Sequence, residues 1–184
     1  SKVAGESLAI ALHRTSLLPV TVVRPFNVVG PRQSARYGMV LPRFAASAVR
    51  GEPLTVHGDG RQTRTFLHVA DAVDALLLLT TTPASEGLLV NVGSDEEVAI
   101  ADLARLVVAV AGTAAPLRFV PFADVYGPGF TDPLTRRPDV SLLRRLTGFA
   151  PRLRLGGPVA APGRPGRGGH APASPLTRAR TSPR

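Results

Sequence analysis

The chain has 184 residues, 44% of them apolar, and carries 22 basic and 13 acidic side chains for a net charge of +9. The apolar share suits one or two globular domains, and the lack of any run of about 18 apolar residues argues against a membrane-spanning helix. Cysteine is absent, which excludes disulfides and thiolate catalysis and fits a cytoplasmic setting.

Helix and strand signals alternate along the chain. Residues 2–14 read as a helix: Leu8 and Leu12 lie one turn apart, with small residues Ala4, Ala9 and Ala11 around them. Val20-Thr21-Val22-Val23 is a β-branched run and predicts a buried strand. Pro25 to Tyr37, containing Gly30-Pro31, predicts a loop. Residues 39–50 predict a helix closed by Gly51. Leu54-Thr55-Val56 predicts a short strand ending in the Gly58-Asp59-Gly60 turn, and Thr65 to Val69 another extended segment. An apolar-rich helix is expected over Asp71 to Leu79, with Asp71 capping or beginning it. A strand is expected over Leu88 to Val92. Leu103, Leu106, Val107 and Val110 follow the helical period. Leu117 to Val120 predicts a strand, and Val140 to Leu146 a short last helix with Asp139 as its N-cap.

The charge is uneven. Residues 156–184 hold five arginines, six glycines, six prolines and no acid, which leaves 17 basic and 13 acidic residues before them. That segment has only Val159 and Leu176 as larger aliphatics, too few to offset chain entropy, so a disordered tail is expected. Read as an arm for nucleic acid, it lacks aromatic rings for base stacking, and nucleic acid is not the expected partner. A frameshift near Leu155 would also produce such a composition. At the other end, Ser1 to Glu6 is mid-helix in character, which implies a missing upstream segment. The four histidines (His13, His57, His68, His170) show no metal-ligand spacing, and no metal site is expected. No G-x-G-x-x-G fingerprint for dinucleotide phosphates occurs.

Six segments carry a family likeness. They are Ser1-Lys2 with Gly5-Glu6; Arg24-Pro25-Phe26-Asn27-Val28-Val29-Gly30-Pro31-Arg32; Gly38-Met39-Val40-Leu41-Pro42-Arg43-Phe44; Leu54 to Asp71, with Gly58-Asp59-Gly60-Arg61-Gln62-Thr63-Arg64 at its centre; Asn91-Val92-Gly93; and Arg136-Arg137-Pro138-Asp139 with Leu146 to Pro151. In this order and spacing they resemble the NAD-dependent epimerase/dehydratase family of extended short-chain dehydrogenases, nearest to UDP-glucose 4-epimerase-like proteins, over residues 1 to about 155. The resemblance implies an α/β fold: the C-terminal part of a Rossmann-type doubly wound domain plus a small α/β substrate-binding domain. Residues 1–37 would end the NAD-binding domain, 38–155 would mainly bind substrate, and 156–184 would be the tail.

The resemblance also implies roles. Lys2 would hydrogen-bond the nicotinamide ribose of NAD and favour the tyrosinate of a catalytic tyrosine four residues upstream, outside this chain. Phe26 would abut the nicotinamide. Asn27 would bond the sugar or diphosphate of a nucleotide-sugar, expected to be a UDP-sugar. Arg64 would clamp the diphosphate through its guanidinium fork, with Arg136 as a second clamp and Arg137 its rival. Met39 and Val40 would line the nucleotide pocket, and Thr55, Val56 and His57 would run beside the base, where relatives more often carry an aromatic in place of His57. His68 would be structural.

The implied activity is C4 epimerisation of a UDP-sugar. UDP-glucuronate decarboxylation and 4,6-dehydration are the alternatives, and a truncated, non-catalytic remnant is the alternative of another class. A homodimer is implied at full length, and no turnover is expected from this chain alone.

Overall fold

The computed structural model describes residues 1–16, 18–34 and 38–156; the tail and loop expected over 157–184 and 35–37, and residue 17, lie outside the described residues. The fold is mixed α/β, built on parallel strand pairs. Helix α1 (Lys2–Ser16) opens it, with His13 and Arg14 in its last turn, where cations suit the helix dipole. Strand β1 (Val22–Pro25) follows, two residues later than the β-branched run predicts. It pairs in parallel with β6 (Leu89–Val92). The predicted loop after it holds a two-residue strand, β2 (Val28–Val29), which pairs with β5 (Leu67–His68).

Helix α2 (Val40–Arg50) ends at Gly51, as predicted. Strand β3 (Leu54–His57) pairs in parallel with β8 (Leu117–Val120). These two strands, α2 and α4 (Ile100–Ala111) enclose one core, in which Phe44, Leu54, Val56 and Leu103 are fully buried. Alternation along β3 sends Leu54 and Val56 into that core and leaves Thr55 and His57 on the other face, the period of two that a strand imposes. A second core packs α3 (Val69–Thr80), β6 and α6 (Ser141–Thr147) around Leu67, Ala75, Val90, Val92 and Leu143.

The extended segment predicted over 65–69 is two strands, β4 (Thr63–Thr65) and β5. Strand β4 is the centre of a three-stranded sheet. It lies antiparallel to β7 (Glu97–Ala99) and parallel to β9 (Thr135–Arg136). Neither β7 nor β9 carries a period long enough to read from sequence, and the same holds for the five-residue α5 (Phe122–Tyr126).

Asp71 does not cap α3. His68 does, its Nδ1 accepting from the Ala70 amide at 3.1 Å. Asp71 stands in the first turn, fully buried, and one carboxylate oxygen accepts from the backbone amides of Arg152 (3.2 Å) and Leu153 (2.9 Å). The carboxylate therefore anchors a segment about 80 residues away in sequence, a role that no local pattern reveals. Asp139 acts nearly as predicted: its Oδ1 accepts from Ser141 N at 2.9 Å in the first turn of α6. That backbone bond holds its carboxyl below the usual carboxylate range, helped by the Ser141 hydroxyl and by Arg145 and Arg137.

Candidate functional site

Three of the sequence motifs meet at the carboxyl ends of β1 and β6. A side chain at Gly93 would strike Pro138 (2.8 Å) and the Phe26 side chain (3.1 Å). Glycine is thus required here by close approach. The approach brings Phe26, Gly93 and Pro138 together from segments separated by more than 40 residues. Helix α1 is pinned to the same edge: Arg24 of β1 donates from Nε to Glu6 at 2.7 Å and pairs with it through a second nitrogen. The guanidinium hydrogen bond holds the Glu6 carboxyl below its ordinary range. Lys2 precedes Glu6 by about 6 Å of helix rise. His13, nearer the other end of α1, lies against Gly87, whose amide donates to Val20 O just ahead of β1, so Lys2 lies toward the end of β1 at which Phe26 and Asn27 stand. Its ammonium makes no hydrogen bond or ion pair with the described residues.

Asn27 has a positive φ of 41°, a region in which asparagine is favoured over most side chains. The turn aims its Nδ2 at the Thr65 carbonyl (2.8 Å), while its own carbonyl accepts from Leu67 N (3.2 Å). Asn27 thus ties β1 to β4 and β5. The amide hydrogens expected to serve a ligand are at least partly used by the fold.

Thr65 adjoins Arg64, and here the structure differs most from a free clamp. Arg64 is only 8% exposed. Its Nη1 donates to the carbonyls of Thr63 (2.6 Å) and Pro133 (3.0 Å), and its Nη2 donates to the Asp132 carboxylate in an ion pair. The guanidinium is rigidly placed, and one side of its fork already faces an acid. Across the strand pair, Arg136 stands opposite Arg64 in register. Arg136 is exposed, and its guanidinium has no ion pair or hydrogen bond among the described residues. Arg137 is tied loosely to Glu97 at 3.8 Å. Of the two rivals, Arg136 is the one left for an anion.

The nucleotide-side residues divide by face. Val56 is fully buried in the core, so its side chain cannot line a pocket; only its backbone could take part. Thr55 and His57 face outward, and side chains hold both of their carbonyls: Arg43 Nη2 donates to Thr55 O (3.2 Å) and Gln62 Nε2 to His57 O (2.8 Å). Met39 is the N-cap residue of α2, and its sulfur accepts from Gln33 Nε2 at 3.1 Å. Val40, the first residue of the helix, packs against the core cluster.

His57 sits between two partners that sequence reading did not assign to it. Its Nε2 lies 3.3 Å from Arg43 Nη1 and its Nδ1 lies 3.1 Å from the Tyr126 hydroxyl. Burial, and then the Arg43 charge, push the imidazole below its ordinary pKa. Burial likewise lowers that of Arg43. Asp132, Tyr126 and Arg43 are thus site neighbours that sequence reading missed. The partners of the Asp132–Arg64 and Tyr126–His57 contacts are 68 and 69 residues apart, beyond any local signal. Among the described residues, no group of three or more His, Asp or Glu side chains could hold a metal ion, and no helix is long and apolar enough to cross a membrane.

Residues 1–93 match the model of the NAD-dependent epimerase/dehydratase family. The chain is 39% identical over 137 residues to a UDP-N-acetyl-alpha-D-glucosaminuronate decarboxylase of Bacillus cytotoxicus, covering 74% of this chain and 42% of that protein. It is 36% identical over 157 residues to UDP-glucuronic acid decarboxylase 4 of Arabidopsis thaliana, covering 84% and 33% respectively. Its fold is similar to that of UDP-glucuronic acid 4-epimerase from Bacillus cereus, solved with UDP-glucuronic acid and NAD: TM-score 0.72, 28% identity, covering 84% of this chain and 47% of that one. The chain therefore spans less than half the length of these relatives.

Proposed function

We propose a function from one established premise: this chain belongs to the NAD-dependent epimerase/dehydratase family. It is the substrate-holding part, with one edge of the cofactor site, of an enzyme that oxidises C4 of a UDP-sugar with NAD. The observation that carries this reading is the pair Arg64 and Arg136, in register on adjacent strands and tied through Thr65 to Asn27 beside Phe26. A diphosphate would meet the exposed guanidinium of Arg136 there, backed by Arg64 in its ion pair with Asp132, and the sugar beyond it would lie toward the end of β1.

The cofactor fits this chain at one end only. Lys2 offers an ammonium without a partner among the described residues, and Phe26 a half-buried ring toward the same end of β1, suited to a ribose hydroxyl and a flat nicotinamide. No glycine-rich cradle for its phosphates occurs in the sequence. When bound, NAD supplies the hydride acceptor. The chain's residues hold what reacts: Lys2 orients the ribose by a hydrogen bond, Phe26 limits how the ring sits, and Arg136 with Arg64 fixes the diphosphate. Charged contacts at the diphosphate and few polar ones at the sugar suit 4-epimerisation, in which the oxidised sugar must turn over before hydride returns. The same reading implies a homodimer through α1, whose Val3, Leu8 and Leu12 are exposed.

Decarboxylation is the second reading, favoured by the names of the two relatives above. It shares the first step. A ketone at C4 is β to a C6 carboxylate, so the C5–C6 bonding pair can flow toward the ketone as carbon dioxide leaves. UDP-glucuronate with NAD tests both in a protein of the relatives' length: an epimer that keeps its carboxylate supports the first reading, and released carbon dioxide the second. For the 184-residue chain, calorimetry should detect UDP binding that Arg136→Ala weakens at least tenfold. No UDP binding to the folded chain would overturn the reading.

A further inference from the structure

A cavity of about 620 Å³ lies between α2 and α4. These helices cover the face of β3 that buries Leu54 and Val56, so the cavity is separated by the strand from the face that carries Thr55 and His57. Its walls are two apolar stripes at helical spacing: Pro42, Ala46 and Val49 on α2, and Leu103, Val107 and Val110 on α4. Val49 and Val110 are 81% and 71% exposed. A cavity of this size with mainly apolar walls has the character of a small-molecule site.

The cavity has two unlike ends. Residues 51–53 lead from α2 into β3 and residues 112–116 from α4 into β8, and those strands are parallel and in register. The helices therefore run side by side in one direction. Their carboxyl ends, with Val49 and Val110, lie together, and so do their amino ends. At the amino ends the polar groups gather. Gln33 donates to the Met39 sulfur at the N-cap of α2, which places Arg32 beside it. His68 is in register with Val29 on the paired strands β5 and β2, and both line the cavity. Arg154 lies between Leu153, whose amide donates to Asp71 in the first turn of α3, and Gly156, where a side chain would strike Leu106 of α4 at 2.8 Å. Arg32, His68 and Arg154 all line the cavity, and among the described residues no acidic side chain does.

Each of the three has donors to spare. Arg32 makes no hydrogen bond or ion pair with the described residues. Its φ is 64°, a costly region for a side chain of this kind and one that recurs at ligand clamps. His68 Nδ1 accepts from Ala70 N, so the neutral ring keeps its proton on Nε2. Arg154 is exposed and approaches Glu96 only to 4.0 Å. An apolar slot that ends in cationic donors matches an apolar chain with one anionic head. We propose that this cavity binds a free medium-chain carboxylate, with its alkyl chain between α2 and α4 and its carboxylate on Arg32, His68 and Arg154. From Pro42 to Val49 the helix rises about 10 Å, a length that such a chain fills. The site shares no residue with Arg64 and Arg136 and does not rest on their assignment.

Decanoate, kept below its micelle concentration, should bind the full chain saturably in calorimetry, one per chain. Decanol, which lacks the charge, should bind about fivefold more weakly or worse. Arg32→Gln should weaken decanoate by about the same factor and leave decanol unchanged. Ala46→Phe fills the slot and should abolish both. Should that variant fail to fold by circular dichroism, Arg32→Gln decides alone. Saturating UDP should leave decanoate bound. Equal binding of decanoate and decanol, or of decanoate to the parent and Arg32→Gln chains, would overturn the anionic head, and displacement by UDP would overturn the separate site. The absence of saturable binding would overturn the proposal outright. A dimer in light scattering that Ala46→Phe dissociates would then show that a second copy covers the cavity.

Discussion

The segment from α1 to β1 and the body around β3 and β8 are built to different standards of closure. Helix α1 has no buried residue over fifteen positions, and among the described residues β1 has a single strand partner, β6. In the body, α2, β3, α4 and β8 close around side chains with no exposure at all, Phe44, Leu54, Val56 and Leu103 among them. The contrast teaches where each function draws its support. The residues assigned to the nucleotide-sugar stand on a core that the chain supplies itself. Lys2, assigned to the cofactor, stands on a helix held mainly at its edge. On the proposed reading, a chain spanning less than half the length of its relatives would carry most of the binding apparatus and only the margin of the redox apparatus.

The largest expected effect tests that contrast directly. Phe44→Ala removes a fully buried ring and should cost about 3–5 kcal/mol in urea unfolding. Leu8→Ala, in α1 at 62% exposure, should change stability by less than about 0.5 kcal/mol. Comparable losses from the two would mean that α1 is packed as tightly as the body, and the contrast would be gone.

Next in size are the two arginines, which should separate placement from binding. Arg64→Ala leaves Asp132 without its partner in a largely buried setting and should lower stability by about 2–3 kcal/mol as well as weakening UDP. Arg136→Ala, at an exposed residue with no partner among the described residues, should weaken UDP while leaving the urea midpoint in place. If Arg136→Ala destabilised the chain as much as Arg64→Ala, the division between a structural and a free cation would fail.

The same division marks what the sequence made legible. Elements of ten or more residues with a full apolar period, such as α2 and α4, were readable to within a few residues because one face of each must meet a core. Strands of two or three residues, such as β7 and β9, show no period, and their pairing partners decide them. Motif residues were readable by resemblance, and Gly93 shows why three of the motifs travel together: a side chain there would strike both Phe26 and Pro138. Partners were not readable. The acid on Arg64, the tyrosine on His57 and the amides on Asp71 all come from 68 or more residues away, and only the folded chain brings them together. Val56 is a mixed case: its assignment to the base-side strand came by resemblance, but alternation along β3 buries its side chain.

A smaller effect is expected from pH at His57. Its folded pKa lies below the ordinary value of 6.5 because of burial and the neighbouring Arg43. Between those two values the unfolded chain binds the proton that the folded ring refuses, so stability rises with pH there. Lowering the pH from 6.5 through the folded pKa should therefore lower the urea midpoint, as protonation of Nε2 sets a cation against Arg43. Replacing His57 with Gln should flatten that part of the profile. An unchanged slope would mean that another group is responsible.

The smallest expected effect concerns how α1 is held. Arg24 and Glu6 form an exposed two-point pair, and such pairs add little to global stability. Its consequence is positional: α1 has no buried side chain to fix its rotation or height against β1, so this pair is the most directed contact between them. Glu6→Gln keeps one hydrogen-bond acceptor and removes the charge. The urea midpoint should barely move, while amide exchange in the first turns of α1 should quicken relative to α2, and added salt should speed exchange in the parent chain toward the variant's rate. Unchanged exchange would mean that packing alone holds α1 in place. Lys2 would then owe its position to apolar contacts along the helix, and the difference in closure between the two regions would be smaller than burial alone indicates.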